Sequence, residues 1–466
     1  MRKIGIEDID DIALGSSLLG SGGGGDPYMG RLEAIAAVKK YGPVELLDID
    51  EVPDTWTVAP ICGVGAPSVS LEKGTNGVEY PKVRAMMERI LGRKLDAFLL
   101  SEAGGMNSMV PISAAARAGL PLINADGMGR AFPGIQQDTF TLNGVSTNPF
   151  IIADEKGNCT VLTTINNDWT EEIGREITTA CGGQVTTLAS PMSGEKMKTS
   201  VVVGTVDYAQ KLGRIIRTAT DADNPEQFFL GESGAFRFFK GKITDVLRET
   251  RDGFNFGRVT LEGIGEDKGK KAVVEFQNEN IYAEVDGEIV ATVPDLICLV
   301  DSETFVPITT ENLKYGKRAL VVGLPCDAAW RTPRGLELAG PAGFGLKDVE
   351  YRPLRSVTPS FRRRKAMRKI GISDIEDIAL GAALLGAGGG GDPYIGKLLA
   401  IGAVKECGEV SLIDVDELSD DDVVVPVASV GAPTILTEKG VGSNEFTKLI
   451  DMVGSYYGKK ITAIMP

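Results

Sequence analysis

Apolar positions in the first half of the chain alternate between two spacings. Helical spacing occurs in Ile6–Leu19 and in 27–41, 80–91, 111–118, 169–180 and 201–216. Short apolar runs typical of buried strands lie at 44–50, 57–67, 97–102, 121–126 and 185–190. Strands that alternate with helices favour an α/β fold in which helices cover a parallel or mixed sheet. We assign residues 1–233 to this α/β domain.

The spacing changes to two from about Phe236 onward. Consecutive strand candidates separated by turn residues follow, for example FGRVTLEGIG and KAVVEFQNENIYAEV. Alternation of this kind is typical of an all-β barrel or sandwich. We assign residues 234–355 to this second, β-rich domain.

The amino-terminal pattern occurs a second time near the end of the chain. MRKIGIEDIDDIALG at Met1 is repeated as MRKIGISDIEDIALG at Met367, and the two copies align without a gap to Leu100 and Pro466. Residues 356–366 form a basic linker, and 367–466 form a partial repeat of the α/β domain. The repeat is interpreted either as an inactive truncated tandem copy or as a copy that packs on the first like a subunit.

Composition excludes several classes of chemistry. The chain contains no histidine, so a Ser-His triad, an imidazole base and a histidine-bound metal are ruled out. The net charge of −15 argues against nucleic acid or an anionic membrane as a partner. The acidic, amphipathic start carries no secretory apolar segment, which predicts a cytoplasmic protein.

A glycine-rich loop, GSGGGGDP, connects the first two predicted helices. It matches G-x-G-x-x-G, but a helix rather than a strand precedes it, which argues against a dinucleotide site. Asp26 is suited to cap the next helix, and the N–H groups of Gly23, Gly24 and Gly25 would attract an anion or a polarised oxygen. The alternative is a tight helix–helix turn with a capping Asp26. The second copy repeats the loop at Gly388–Gly391 and Asp392.

Two further polar motifs follow predicted strands. SEAGGMNS places Glu102 and Asn107 at a strand end, where α/β sheets bind ligands. NADGMGRAFP places Asp126 beside Arg130, with Gln136 a few residues later. Glu102 and Asp126 are candidate bases, and Arg130 is a candidate for stabilising developing negative charge. The candidate substrate ligands are Asn107 and Gln136, together with Asp26 and the three glycines of the glycine-rich loop. The alternatives are a loop-capping Glu102 and an Asp126–Arg130 pair that fixes its loop.

These loops form one site only if they converge. In that case Asp26, Glu102 and Asp126 are candidate oxygen ligands for a divalent metal ion, which is therefore one candidate cofactor. The alternative interpretation of the same converged groups is an acid–base set without a metal.

With GSGGGGDP, SEAGGMNS, NADGMGRAFP and the later WRTPRGLELAGPAGFG, residues 1–355 resemble the S-methyl thiohydantoin desulfurase family, also described as hydantoinase/oxoprolinase-like. The resemblance implies an α/β domain followed by a β domain. It also implies hydrolysis of a five-membered cyclic amidine or imide, in which water adds to the carbon between the ring nitrogens and methanethiol leaves. The motif positions that it carries over are Asp26, Glu102, Asn107, Asp126 and Arg130.

Three functions are therefore weighed. The first is a hydrolase of a hydantoin-type ring, such as S-methyl thiohydantoin. The second is an ATP-dependent ring-opening subunit, against which the lack of a phosphate-loop motif argues. The third is a non-enzymatic oligomeric scaffold. The expected partners are a small cyclic substrate and further copies of the same chain.

Overall fold

The computed structural model describes residues 2–66, 69, 72–73, 77–251, 253–354, 368–385, 393–413, 418, 422–428 and 445–465. These residues belong to two compact units, 1–360 and 361–466. The predicted linker at 356–366 and the second glycine loop at 388–392 lie outside the described residues.

The first unit begins with a mixed sheet and its helices. The strands are β1 (Arg2–Ile4), β2 (Val44–Leu47), β3 (Thr57–Gly65), β4 (Ala97–Leu100), β5 (Leu122–Ile123), β6 (Ala125–Asp126), β7 (Phe150–Ala153), β8 (Cys159–Leu162), β9 (Gln184–Leu188), β10 (Met192–Ser193) and β11 (Val202–Val203). The helices are α1 (Ile6–Leu19), α2 (Pro27–Tyr41), α3 (Glu79–Leu91), α4 (Met109–Ala118), α5 (Thr139–Leu142), α6 (Asn167–Ala180), α7 (Gly194–Lys198), α8 (Thr205–Thr218) and α9 (Pro225–Ser233).

Strand order in the main sheet is β1-β2-β5-β4-β3-β9-β7-β8, and β10 pairs with β3. The pairs β2–β5, β5–β4 and β4–β3 are parallel, whereas β9, β7, β8 and β1 pair antiparallel with their neighbours. The expectation of a parallel or mixed α/β sheet is therefore confirmed in its mixed form.

One predicted helix begins later than expected. The apolar spacing predicts a helix over 201–216, but Val202 and Val203 pair antiparallel with Asp126 and Ala125, and α8 starts only at Thr205. Gly204 separates the two elements with a φ of +78°, a conformation that interrupts helical backbone.

A curled antiparallel sheet follows in the same unit. Its strands are β12 (Phe236–Arg251), β13 (Phe254–Gly263), β14 (Lys271–Gln277), β15 (Glu279–Val285), β16 (Glu288–Thr292), β17 (Leu296–Asp301) and β18 (Arg318–Leu324), in the order β16-β15-β14-β13-β12-β18-β17. The outer strand β17 packs against β15 and β16, but in the described part of the chain no ladder joins it to β16. The sheet is thus curled, and neither a closed barrel nor a sandwich is formed by the described strands.

The chain after β18 is helical. Helix α10 (Pro333–Ala339) is flanked by 3-10 turns at Ala328–Arg331 and Pro341–Phe344. Proline at its first position and Thr332, which accepts a hydrogen bond from the Gly335 N–H at 3.1 Å, start this helix. The strands of the region predicted to be β-rich thus end at Leu324 in the described part of the first unit.

The second unit contains β19 (Arg368–Ile370), α11 (Ile372–Leu385), α12 (Pro393–Cys407), β20 (Val410–Leu412), β21 (Val424–Pro426), α13 (Glu445–Tyr457) and β22 (Ala463–Met465). Arg368 pairs with Leu412 as Arg2 pairs with Leu46. Val424 and Ala463 pair in parallel as do Val58 and Ala97. The described strands of this unit thus have the same register as β1–β2 and β3–β4.

Candidate functional site

A pocket of about 810 Å³, including its open mouth, lies at one edge of the main sheet. The carboxyl ends of the parallel strands β3 and β4 meet there, as expected for a ligand site of an α/β sheet. Its walls include residues from the main sheet and from the curled sheet. The residues that line it include Gly24, Gly25, Cys62, Gly63, Ser101, Glu102, Asn107, Phe132, Asp138, Arg175, Asn278 and Glu279.

The glycine loop packs directly on the segment that follows β4. The Gly24 carbonyl accepts the Asn107 N–H at 3.0 Å, and the Gly25 carbonyl accepts the Met106 N–H at 3.2 Å. A Cβ on Gly24 would lie 2.6 Å from the carbonyl carbon of Gly104, and the φ of Gly24 is +77°. Glycine is therefore needed at this position because two backbones touch there.

The same loop also holds the curled sheet. The Gly24 N–H donates to Glu279 Oε1 at 3.3 Å, and a Cβ on Gly23 would lie 1.9 Å from that oxygen. The Ser21 carbonyl accepts the Asn280 N–H at 2.8 Å. The loop N–H group that we expected to attract an anion thus binds the carboxyl group of this chain's own Glu279.

Glu102 is the carboxyl group expected in the pocket from the strand-end motif. Asn107 Nδ2 donates to its Oε1 at 2.6 Å, and the Phe132 N–H donates to its Oε2 at 3.3 Å. Burial raises the pKa of Glu102 to about 7, although these two hydrogen bonds and the charge of Arg130 act to lower it. Both its acidic and its ionised form are consequently accessible near neutral pH.

Asn107 also fixes strand β3. Its Oδ1 accepts the Gly63 N–H at 2.8 Å, and its Nδ2 donates to the Gly63 carbonyl at 3.0 Å. Asn107 therefore lines the pocket, as predicted for a substrate ligand, but its amide already holds Glu102 and Gly63.

Arg130 is completely buried beside the pocket and does not line it. Its Nη1 donates to the carbonyl oxygens of Pro294 and Asp295, both at 2.8 Å, and its guanidinium carbon lies 4.4 Å from the centroid of the Phe132 ring. Burial lowers the pKa of Arg130, while the charge of Glu279 acts to raise it. Arg130 thus acts through its charge on the carboxyl groups of Glu102 and Glu279, and it does not itself form part of the pocket wall.

Asp126 does not line the pocket either. Its Oδ2 accepts the N–H groups of Ala103 at 2.7 Å, Met128 at 3.1 Å and Gly129 at 2.7 Å. Burial raises the pKa of Asp126 to about 7 against these hydrogen bonds. Asp126 therefore joins the two loops that carry Glu102 and Met128. It does so through backbone N–H groups, because the hydrogen bonds of Arg130 go to the carbonyl oxygens of Ala131, Pro294 and Asp295.

The remaining predicted residues do not line the pocket either. Asp26 caps α2, where its Oδ1 accepts the N–H groups of Tyr28 at 2.8 Å and Met29 at 3.0 Å. Gln136 is not among the lining residues. In the described part of the chain no three Asp, Glu, Cys or His side chains are grouped as a metal site. The candidate ligands Asp26, Glu102 and Asp126 are thus not grouped as a metal site, and we derive no step through a metal.

Glu279 is one of the lining residues that sequence reasoning missed, together with Asp138 and Arg175. Burial and then repulsion from Glu102 raise the pKa of Glu279 well above its usual value, while Arg130 acts in the opposite direction. The signal for it is the run Asn278-Glu279-Asn280, which interrupts the alternation of β14 and β15 and is fully buried. Asn278 has a φ of +59°, which turns the chain between these strands.

Comparisons with known proteins agree with the motifs. A family model described as "S-Me-THD-like, N-terminal domain" matches residues 7–164 and 373–466, and "S-Me-THD-like, C-terminal domain" matches 165–354. No curated protein matches the chain. A crystal structure of a protein from Chromobacterium violaceum, structural-genomics target CvR68, matches with a TM-score of 0.65 and 24% identity over 76% of this chain and 100% of that one. That likeness shows the fold.

No helix in the described ranges is both long and apolar enough to cross a membrane. The two family models together span most of the chain and confirm the expected resemblance to the S-methyl thiohydantoin desulfurase family. The chain therefore belongs to the S-Me-THD-like family.

Proposed function

We propose that the chain hydrolyses a five-membered cyclic amidine or imide, such as S-methyl thiohydantoin, which yields hydantoin and methanethiol. Membership of the S-Me-THD-like family supports this class of substrate. The pocket at the ends of β3 and β4 lies where α/β sheets bind small ligands.

A single observation carries the mechanism, namely the buried Glu102 carboxyl group in the wall of this pocket. Water is a weak nucleophile at neutral pH, and a base with a pKa near the working pH activates it best. Burial raises the pKa of Glu102 to about 7, and Asn107 holds its Oε1 at 2.6 Å. Glu102 then removes a proton from water as the water oxygen attacks the carbon between the two ring nitrogens.

The proposal fixes the direction of the pH dependence. Glu102 must be ionised to act as a base, and its carboxylate form increases as the pH rises through about 7. We therefore expect kcat/KM for thiol release to rise with pH through this region. A rate that falls with pH there would instead assign Glu102 the role of an acid.

The test is thiol release from S-methyl thiohydantoin without added nucleotide. Glu102→Gln keeps the size of the side chain but removes the base, so we expect a loss of roughly 100-fold or more. Glu311→Gln is the matched control, because burial also raises the pKa of Glu311 to about 7 but this residue does not line the pocket. A Glu102→Gln variant with the wild-type rate would contradict the proposal.

A further inference from the structure

Two carboxyl groups besides Glu102 line the pocket, those of Asp138 and Glu279. Asp138 caps α5 by accepting the Thr141 N–H at 2.7 Å, whereas Glu279 has no task in the mechanism above. It begins β15 and enters the pocket from the curled sheet, whereas Glu102 comes from the main sheet. Its Oε1 accepts the Gly24 N–H at 3.3 Å. Its Oε2 is buried and has no hydrogen-bond partner among the described residues. A buried oxygen of this kind is costly as an unpaired acceptor, but as a protonated O–H it offers a donor to a bound molecule.

The charges around Glu279 favour a state in which only one of the two carboxyl groups, Glu102 or Glu279, is ionised. The charged groups that act on Glu279 are Glu102, which repels it, and the guanidinium of Arg130. Arg130 acts on Glu102 as well. Two neighbouring carboxyl groups beside one cation divide into an ionised and a protonated partner, which is the usual arrangement of a base and an acid.

We infer that Glu279 is the general acid of the reaction, donating its proton to the departing sulfur while Glu102 takes the proton of the attacking water. This inference rests on the proposed function. It adds to that function that the residue protonating the leaving group comes from the curled sheet.

The protons and electrons balance over two steps. In the first, a water lone pair forms the C–O bond and Glu102 takes a water proton. The electron pair of the ring C=N bond moves to nitrogen and returns as the C–S bond breaks, and the sulfur leaves as thiol with the proton of Glu279. In the second, the hydroxyl of the ring gives its proton to Glu279, and Glu102 gives its proton to the ring nitrogen. Hydantoin is formed and both carboxyl groups are restored.

The experiment compares two leaving groups. The substrates are S-methyl thiohydantoin and its S-(2,2,2-trifluoroethyl) analogue, whose more acidic thiol departs readily without a proton. We expect Glu279→Gln to slow release of methanethiol by roughly 100-fold or more and release of trifluoroethanethiol by less than about tenfold. Glu102→Gln should slow both releases alike, and the control Glu311→Gln should slow neither.

A Glu279→Gln variant that slows both substrates equally, or slows neither, overturns the inference and leaves the proposed function standing. A wild-type protein that releases neither thiol overturns both. The wild type also gives a test that needs no folded variant. If Glu279 protonates the leaving sulfur, the wild type should release methanethiol and trifluoroethanethiol at rates that differ by less than about tenfold. A trifluoroethyl substrate that reacts roughly a thousandfold faster than the methyl substrate overturns the role of Glu279.

Discussion

Asn107 shows how one side chain organises the proposed base. Its amide binds both backbone groups of Gly63 at the end of β3 and donates to Glu102 Oε1. The hydrogen bond to Glu102 favours the ionised carboxylate and so acts to lower the pKa of Glu102. Asn107 is thus a positioning residue that also adjusts the proton affinity of the base.

Replacing Asn107 should therefore move the pH profile. In Asn107→Ala the carboxylate loses a donor, which raises the pKa of Glu102 further and shifts the rising limb of kcat/KM to higher pH. We also expect kcat to fall by about tenfold at neutral pH, because the base is no longer held in place. The measurement is the pH–rate profile of thiol release.

The control for this prediction is Asn148→Ala. The amide of Asn148 binds both backbone groups of Thr164, at 3.0 and 2.7 Å, as Asn107 does at Gly63, but it does not line the pocket. Replacing Asn148 should lower the free energy of unfolding without shifting the pH profile of kcat/KM for thiol release. An unchanged profile in Asn107→Ala would show that the amide has only a structural role.

At the scale of elements, short-range patterns predicted the position of Glu102 but not that of Glu279. The parallel strands β3 and β4 end at one sheet edge, so a carboxyl group just after β4 is placed by local sequence alone. Glu279 reaches the same pocket through contacts between the curled sheet and the glycine loop, about 255 residues away along the chain. Alternating spacing reveals a strand, but it does not reveal which distant loop the strand meets.

The hydrogen-bond partners of Asp126 could not be predicted from the sequence for a related reason. Its motif resembles that of Glu102, since both carboxyl groups follow a short strand. The backbone of the next residues, however, turns back so that the N–H groups of Met128 and Gly129 bind Asp126. Asx turns of this kind are a common use of aspartate in loops, and the sequence leaves both roles open.

Helices α1 and α8 cross with their backbones in contact, which leads to a stability prediction. A Cβ on Gly15 would lie 1.7 Å from the Ala209 carbonyl oxygen, and one on Gly213 would lie 1.8 Å from that of Asp11. Gly15→Ala should therefore lower the free energy of unfolding by roughly 2 kcal/mol or more, because the helices must separate.

Gly381 in α11 is the matched control, because it occupies the same place in the repeated DIALG motif. A Cβ on Gly381 would meet nothing within 4 Å in the described part of the chain. Gly381→Ala should leave the transition of the first unit unchanged. All three tryptophans, Trp56, Trp169 and Trp330, belong to the first unit, so their fluorescence during urea unfolding reports on that unit alone. Equal effects of the two substitutions would contradict the close helix crossing.

At the scale of the whole molecule, the two units differ in how their shared elements are covered. Phe98 and Leu99 in β4 are 1% and 0% exposed, whereas the aligned Ile464 and Met465 in β22 are 60% and 52% exposed. The elements that bury β4, including β5 and α4, have no counterpart among the residues aligned with 1–100. In the described residues of the second unit, strand register is thus repeated while β22 remains exposed.

Every residue of the proposed reaction lies within 1–355, so removal of 367–466 should not slow it. We expect a chain of residues 1–355 to release thiol with a kcat/KM within about twofold of the full chain, since the first unit is compact by itself. Light scattering on the full and the shortened chain measures whether the second unit changes the oligomeric state, which is predicted to be a homo-oligomer. A tenfold loss of rate on truncation would show that residues of the repeat contribute to catalysis.

The proposed pair of carboxyl groups is divided between two separately recognised halves of the chain. Glu102 belongs to the half matched at 7–164 and Glu279 to the half matched at 165–354. A recombinant that joined halves from two relatives would therefore combine a water-activating side from one parent with a leaving-group side from the other. The preference for the exocyclic substituent of the substrate should be inherited with the part that corresponds to residues 165–354. Such hybrids would therefore separate water activation from leaving-group departure genetically.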